Sequence, residues 1–167
     1  MSAREEILAF LDKSGIHYDL VEHPPVRTIE DCAWAEEKLN CVVPKNLFLT
    51  PRNQSSYTLC LTRPNALFRT ADFSKQIGSS RLSFGGEDAL MELLHTAPGA
   101  VSPLGLIFSS AEVVPLYLDE QLQYCPRLGF HPNDSAATLA MATGDFLHRF
   151  LHSLRREPRF ARFPDVS

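Results

Sequence analysis

Several stretches of the chain repeat apolar residues every three or four positions, which is the period of an amphipathic helix. The first begins at Ser2, which has capping-box spacing to Glu5, and it ends at Gly15. In the last, the apolar residues between Gly144 and Arg155 fall on one side of the helix. Further helices are predicted over 28–39, over 87–95 and over a short segment, capped by Thr70 or Asp72, that Gly78 ends.

Short apolar runs between these helices are bounded by turn residues and are typical of β-strands. Residues 45–50 and 57–62 flank the turn sequence PRNQSS, so they predict a β-hairpin. The Pro- and Gly-rich loop 96–108 is expected to lead into a further strand. Other strands are predicted over 16–23, 81–84, 112–119, 127–130 and 138–143. Six or seven short strands among about four helices predict one mixed α/β domain over residues 1–167.

The composition fits a globular protein, with 44% hydrophobic and 22% charged residues. No run of about 18 apolar residues predicts a transmembrane helix, and the N-terminus lacks the basic start and apolar middle of a signal peptide. We therefore expect a cytoplasmic protein with no membrane partner. The four cysteines form no CxxC pair, and no His/Cys cluster has zinc-ligand spacing. This predicts free, mostly buried thiols, no metal site and no cofactor.

The charge is spread unevenly, although the total of −4 does not indicate nucleic-acid binding. From Arg149 onward five arginines stand against two acidic residues, which gives +3, so residues 1–148 carry 11 − 18 = −7. Such a basic tail can contact phosphates. It is equally explained as the solvated face and frayed end of the last helix.

Three polar segments at predicted strand ends or in loops are candidates for a functional cleft. They are Lys45-Asn46 at the start of a strand, Pro98-Gly99 in the 96–108 loop, and the HPN sequence at 131–133. The chain lacks the sequence patterns of dinucleotide-binding, P-loop, zinc-protease and serine-hydrolase sites. Each segment alone is explained as a surface lysine, a structural turn or a hydrogen-bonded histidine. Together they predict a cleft that contains a lysine and a histidine.

Taken in order, these segments resemble the prolyl-tRNA editing family, also described as YbaK-like aminoacyl-tRNA deacylases. The KNLFL and FHP sequences are similar in particular to the free-standing members that remove alanine from proline tRNA. The resemblance implies a central, largely antiparallel, partly barrel-like sheet of six or seven strands flanked by helices. The similar stretches span most of the chain and read EHPPVRTIEDC (22–32), KNLFLT (45–50), RLSFGGEDAL (81–90), APGAVSPLGLI (97–107) and FHPNDSAATLAMATGDFLHRFL (130–151).

Lys45 is the expected catalytic residue under this resemblance. Its ammonium can stabilise the oxyanion that develops at an ester carbonyl, or hold a phosphate or ribose oxygen. Asn46 is expected to orient Lys45 or to line the pocket. Strand alternation places these two side chains on opposite faces, so at most one of them points directly at the reacting centre.

The remaining candidate residues are expected to bind the substrate. The backbone of Pro98, Gly99 and Ala100 is expected to approach the substrate closely, because glycine permits it. His131 is expected to hydrogen-bond the adenosine, to position water, or to act as a base, although the resemblance points to a route that uses the ribose hydroxyl of the tRNA itself. Thr28 is expected either to form one wall of the pocket or to cap the second helix.

The implied activity is hydrolysis of mischarged tRNA, alanyl-tRNA for proline above all. A synthetase that selects proline rejects a smaller amino acid by only about 1–3 kcal/mol, so a second, smaller site supplies the missing discrimination. The implied partner is proline-accepting tRNA, with prolyl-tRNA synthetase and the elongation machinery as further candidates. The alternatives are a deacylase for cysteine or serine, a non-catalytic module that binds tRNA or a synthetase, and an amino-acid- or nucleotide-binding domain.

Overall fold

The computed structural model describes residues 1–25 and 29–166. Its helices lie close to the predicted positions. Helix α1 (Ala3–Lys13) carries the predicted capping box, in which Ser2 Oγ accepts the Glu5 N–H and the Glu5 carboxylate accepts the Ser2 N–H. The others are α2 (Ile29–Leu39), α3 (Thr70–Gln76), α4 (Glu87–Leu94) and α5, which runs through Thr143–Asp145, a π-helical turn Phe146–Phe150 and Leu151–Ser153.

The strands form two sheets. The smaller sheet has the order β1-β7-β6, and both of its strand pairs are antiparallel. The larger sheet has the order β4-β2-β3-β5-β8, in which β2 pairs antiparallel with β4 and β3, whereas β5 pairs parallel with β3 and β8. The strands are β1 (Asp19–Glu22), β2 (Lys45–Pro51), β3 (Thr58–Thr62), β4 (Leu82–Phe84), β5 (Leu116–Asp119), β6 (Arg127–Phe130), β7 (Ala137–Ala142) and β8 (Phe160–Ala161).

The predicted α/β class and the predicted hairpin, β2–β3, are confirmed. The expectation of one central, partly barrel-like sheet was wrong, because the described strands divide into sheets of three and five and do not close into a barrel. The larger sheet is mixed because the chain between β3 and β5 returns through α3, β4 and α4, and such a crossover brings β5 in parallel to β3. An isolated parallel bridge between Val42 and Leu128 links the two sheets without extending into a ladder.

Apolar residues from both sheets and from the helices form the main core, and strand alternation decides which residues reach it. In β3, Leu59 and Leu61 face the main core, whereas Cys60 faces the other side. The side chains on that other face of the five-stranded sheet form a second group, here called the outer cluster. Its fully buried members are Leu49, Cys60, Phe73, Leu82 and Ala161. The largest fully buried side chains of the main core are Ile7, Leu11, Leu59, Leu61, Leu94, Leu104, Leu118, Phe130, Phe146 and Phe150.

The loop after α4 does not lead into a strand, contrary to the prediction. It forms two short 3-10 helices, Pro103–Ile107 and Ser109–Ala111. Ser102 Oγ accepts the N–H of Leu104, and Pro103 occupies the first helical turn, where its missing N–H costs nothing. The apolar residues of this loop fit a strand, but the cap from Ser102 and the proline that follows favour a 3-10 helix instead.

The end of the arginine-rich tail pairs with the five-stranded sheet, so the expectation of a frayed end was wrong, although four of its five arginines are solvent-exposed as that alternative expected. The Arg156 guanidinium donates to the carbonyl oxygens of Val114 (2.7 Å) and Ala111 (2.8 Å). Beyond it, β8 pairs with β5, and Arg162 Nε donates to the Glu120 carboxylate at 3.0 Å. Within the described residues, no helix combines the length and the apolar character needed to cross a membrane.

Candidate functional site

Lys45 and Asn46 begin β2, and their side chains lie on opposite faces of the sheet, as predicted. Two residues further along, Leu47 packs against the outer cluster and Phe48 enters the main core, which assigns Lys45 to the outer face and Asn46 to the inner face. Lys45 is exposed, and its Nζ donates one hydrogen bond, to the Ala66 carbonyl oxygen at 3.3 Å. Within the described residues no carboxylate pairs with it, so the ammonium remains available to an anionic group.

The Asn46 amide is held by one contact and leaves one atom unpaired. Its Nδ2 donates to the Pro44 carbonyl oxygen at 3.2 Å. Its Oδ1 is buried without a hydrogen-bond partner among the described residues. Buried polar atoms are rarely left in this state, so Asn46 Oδ1 is an acceptor that a buried water or another small donor would satisfy.

The bridge between the two sheets brings the Lys45 and His131 segments together. Val42 and Leu128 pair in parallel, with the Gly129 N–H donating to the Val42 carbonyl oxygen at 2.8 Å. Lys45 and His131 each follow their bridge residue by three positions (42 + 3 and 128 + 3), so both chains leave the bridge in the same direction. Within the described residues no hydrogen bond joins the two side chains directly.

His131 is only 7% exposed, which the sequence did not predict. Its Nδ1 lies 2.8 Å from the Ala137 carbonyl oxygen and 3.3 Å from Thr138 Oγ1. Because a carbonyl oxygen only accepts, we assign the proton to Nδ1, which leaves the lone pair on Nε2. Burial lowers the pKa of His131, an effect that its bond to Ala137 partly opposes. A neutral ring with an accepting Nε2 is the result.

His23 and Trp34 extend this arrangement to the surface, and neither was singled out from the sequence. His23 Nε2 lies 2.8 Å from Thr138 Oγ1, and the His23 ring stands edge-to-face with the rings of both His131 and Trp34, at centroid distances of 6.2 and 6.0 Å. Trp34 is 46% exposed. These contacts depend on the pairing of β1 with β7 and on α2 packing over both strands, so no local sequence signal could have revealed them.

The Pro98-Gly99-Ala100 segment forms a tight turn, as predicted. Gly99 has φ +89°, a conformation that favours glycine, and the Ala100 N–H donates to the Ala97 carbonyl oxygen at 3.1 Å. Pro98 has no N–H and that of Ala100 is engaged in the turn. No acceptor in the described part of the chain pairs with the Gly99 N–H, which makes it the candidate donor of this segment.

Asn133 ties the His131 loop to the segment before this turn. Its Nδ2 donates to the carbonyl oxygens of Leu94 (2.8 Å) and His95 (3.1 Å). Gly105 lies at the same place, where an added Cβ would be 2.6 Å from the Leu94 carbonyl oxygen. The two loops predicted to flank a cleft are thus physically joined.

The other sequence-based candidates give less. Thr28 lies outside the described residues. The four cysteines are free, as predicted, but only Cys60 is buried and the other three are partly buried, so the expectation that most of them are buried was wrong. Burial raises the pKa of Cys32, and it raises that of Cys41 to about 11, which disfavours the reactive thiolate. Among the described residues no three His, Cys, Asp or Glu side chains are grouped as a metal would require.

Comparison with known proteins identifies the family to which the chain belongs. A model of the aminoacyl-tRNA editing domain family matches residues 23–148, which include Lys45, the Gly99 turn and His131. The chain belongs to this family, and the resemblance noted in the sequence is confirmed.

Individual relatives narrow the comparison further. The chain is 34% identical to the prolyl-tRNA editing protein ProX of Acetoanaerobium sticklandii, over 87% of this chain and 88% of ProX. It is 31% identical to the prolyl-tRNA synthetase associated domain-containing protein 1 of Danio rerio, over 96% of this chain and 87% of that protein. The solved structure of a candidate trans-editing enzyme for prolyl tRNA synthetase superposes with a TM-score of 0.74, at 19% identity and 99% coverage of both chains, which supports the fold.

Proposed function

We propose that the whole chain, residues 1–167, is one editing domain that acts in trans and hydrolyses mischarged tRNA, with alanyl-tRNA for proline as its substrate. The observation that carries the proposal is the exposed Lys45 ammonium, which no carboxylate pairs with among the described residues, in a chain of the editing family. Its segment leaves the Val42–Leu128 bridge in the same direction as the His131 segment. The names of ProX and of the Danio rerio relative, which refer to prolyl-tRNA and its synthetase, support the choice of tRNA.

Lys45 supplies the charge that this reaction needs. When water adds to the ester carbonyl, negative charge develops on the carbonyl oxygen. The bond to the ribose oxygen then breaks, a proton from the water is relayed to that oxygen, and a ribose hydroxyl and the free amino acid are released. An ammonium without a carboxylate partner stabilises that charge, and its removal costs about 10²–10³ in kcat where such groups have been deleted. The Gly99 N–H is a second donor for the same oxygen.

Asn46 Oδ1 and His131 Nε2 supply acceptors for the rest of the substrate. Asn46 lies on the opposite face of β2 from Lys45, so its amide lines the pocket away from the reacting carbonyl. The terminal adenosine carries hydroxyl and amine donors, and a neutral imidazole accepts from either through Nε2, for which the described residues provide no hydrogen bond. His131 therefore serves as a binding group that orients the ribose.

Discrimination by size explains why such a domain acts beside a synthetase. A site that admits alanine and excludes proline removes the product that the synthetase rejects by only about 1–3 kcal/mol. The partners are then proline-accepting tRNA and, through the tRNA, prolyl-tRNA synthetase and the elongation machinery. No cofactor takes part in a hydrolysis of this kind.

The test is deacylation of alanyl-tRNA for proline by the purified protein, beside cysteinyl-, seryl- and prolyl-tRNA. We expect rapid loss of alanine alone, with a fall of about 10²–10³ in kcat for Lys45→Ala. Lys13→Ala is the matched control, because Lys13 is an exposed lysine in the last turn of α1, and it should keep full activity.

Other results would change the proposal in definite ways. Loss of cysteine or serine instead of alanine would keep the enzyme class and correct its specificity. Binding of tRNA without any hydrolysis would replace the enzyme by a regulatory tRNA-binding module. Full activity in Lys45→Ala would remove the lysine from the reaction.

A further inference from the structure

A continuous chain of hydrogen bonds runs from His131 toward the surface, and its direction is fixed by two carbonyl oxygens. The Ala137 carbonyl oxygen accepts from His131 Nδ1 (2.8 Å), and the Pro24 carbonyl oxygen accepts from His23 Nδ1 (2.8 Å). Each carbonyl requires the proton to be on Nδ1 of its histidine. In a neutral His23, Nε2 must then accept, and its donor is the Thr138 hydroxyl at 2.8 Å.

The Thr138 hydroxyl consequently donates to one histidine and accepts from the other. Its proton points to His23, so its lone pairs remain for the His131 Nδ1–H at 3.3 Å, which shares that proton with the Ala137 carbonyl oxygen. Thr138 is fully buried in β7, where its backbone is fixed by pairing with Val21 of β1. The hydroxyl is therefore a rigid link between a buried histidine and a partly exposed one.

We propose that Thr138 and His23 are positioning residues for His131: they hold its imidazole in one orientation, as the Nδ1–H tautomer, so that Nε2 presents its lone pair to the substrate. Neither residue touches the reacting atoms. The consequence for hydrolysis rests on the proposed function, whereas the tautomer and the hydrogen bonds do not.

The charged groups around the ring are consistent with a neutral His131. From the loop before β7, Asp134 faces His131, but Arg4 of α1 pairs with it at 3.0 Å. From the end of β1, His23 opposes a positive charge on His131. A proton on His23 Nε2 would reverse the bond to Thr138 and disturb the chain.

The tautomers are measured directly by NMR of protein labelled with ¹⁵N-histidine, with His23→Gln and His131→Gln variants to assign the two residues. We expect both histidines at neutral pH to show a protonated Nδ1 and an unprotonated Nε2. A proton on Nε2 of His131, or on both of its nitrogens, would overturn the proposal.

The role of the hydroxyl is tested with Thr138→Val, which keeps the shape, and Thr138→Ser, which keeps the hydroxyl. In Thr138→Val we expect the His23 Nε2 resonance to shift and kcat/KM to fall about tenfold, the size of one hydrogen bond. Thr138→Ser should restore both. Thr58→Val, a buried threonine in β3 of the other sheet, should change neither.

Three further outcomes are decisive. An unchanged kcat/KM in Thr138→Val would overturn the positioning role. If Thr138→Val fails to fold, a normal rate in His23→Gln overturns it instead. If the wild-type protein hydrolyses no aminoacyl-tRNA, the proposed function fails, while the tautomer measurement still supports or overturns the hydrogen-bond chain.

Discussion

The outer faces of the two sheets are covered in opposite ways. On the five-stranded sheet the outer cluster is aromatic and dry: the rings of Phe68, Phe73 and Phe163 lie 5.7 to 5.9 Å apart, with Tyr117 edge-to-face against Phe73. On the three-stranded sheet, Leu139 points into the main core, and the opposite face carries the fully buried Thr138 and its histidines beneath α2.

This difference separates apolar packing from a buried polar network. Apolar packing stabilises a fold without further requirements, whereas a buried polar group is costly unless it is fully hydrogen-bonded. Thr138 meets that requirement through its hydrogen bonds with His23 and His131. The outer face of the three-stranded sheet is therefore the one whose stability we expect to respond to pH, whereas Lys45 lies exposed on the outer face of the other sheet.

The largest effect is expected from Phe73→Ala, which removes the fully buried ring at the centre of the outer cluster. We expect the free energy of unfolding to fall by about 3–5 kcal/mol, through lost contacts and the cavity left behind. Denaturant unfolding measures this. Phe84→Ala is the control: Phe84 lies in β4 of the same sheet but is 63% exposed, and it should cost far less. A small loss in Phe73→Ala would mean that this face contributes little to stability.

A smaller effect is expected from pH, on the other sheet. Burial lowers the pKa of His131, so the unfolded chain binds this proton more readily than the folded one. Its contribution to stability is complete above the ordinary histidine pKa of about 6.5 and is lost as the pH falls below it. One site limits the slope to about 1.4 kcal/mol per pH unit.

Unfolding of the wild-type protein and of His131→Gln, followed between neutral pH and pH 5, measures that slope, and the variant should flatten it. The pKa of Asp134 is also lowered, chiefly by the Ala136 N–H, but its contribution is lost only near the lower carboxyl range. The pH ranges in which His131 and Asp134 affect stability are therefore distinct. An equal slope in both proteins would assign the pH dependence to other groups.

The smallest effect is expected at Trp34, the chain's single tryptophan. Its partial exposure beside His23 makes its fluorescence a reporter of this face. Adding uncharged proline tRNA should change the emission in a saturable way that weakens with salt, since phosphate contacts release counterions. Binding seen by anisotropy of a labelled tRNA, with unaltered Trp34 emission, would place the tRNA on a different face.

Local sequence signals predicted the local parts of the fold. The Ser2–Glu5 capping box, the β2–β3 hairpin and the amphipathic α5 depend on residues close together in the chain. The sequence did not reveal the division into two sheets, because that depends on which distant strands pair. The π-helical turn within α5 was also missed, since the same apolar residues fit an α-helix.

The candidate site likewise has parts that local sequence patterns predicted and parts that only the pairing of distant strands creates. Alternation sufficed to place Lys45 and Asn46 on opposite faces, and Pro followed by Gly sufficed for the turn at 98–99. The burial of His131 and its link to His23 arise from the pairing of β1 with β7, between residues more than 100 positions apart. Local sequence patterns cannot predict a contact between residues so far apart in the chain.

The pairing of β8 with β5 has a consequence for folding on the ribosome. Until Phe160 and Ala161 have been synthesised, β5 presents an open edge, and open edges invite pairing with other chains. Arg63 secures the closing segment through its bonds to Asp119, Asp165 and the Phe163 carbonyl oxygen. A nascent chain that stalls before this segment emerges is thus the form most exposed to aggregation and to chaperone capture.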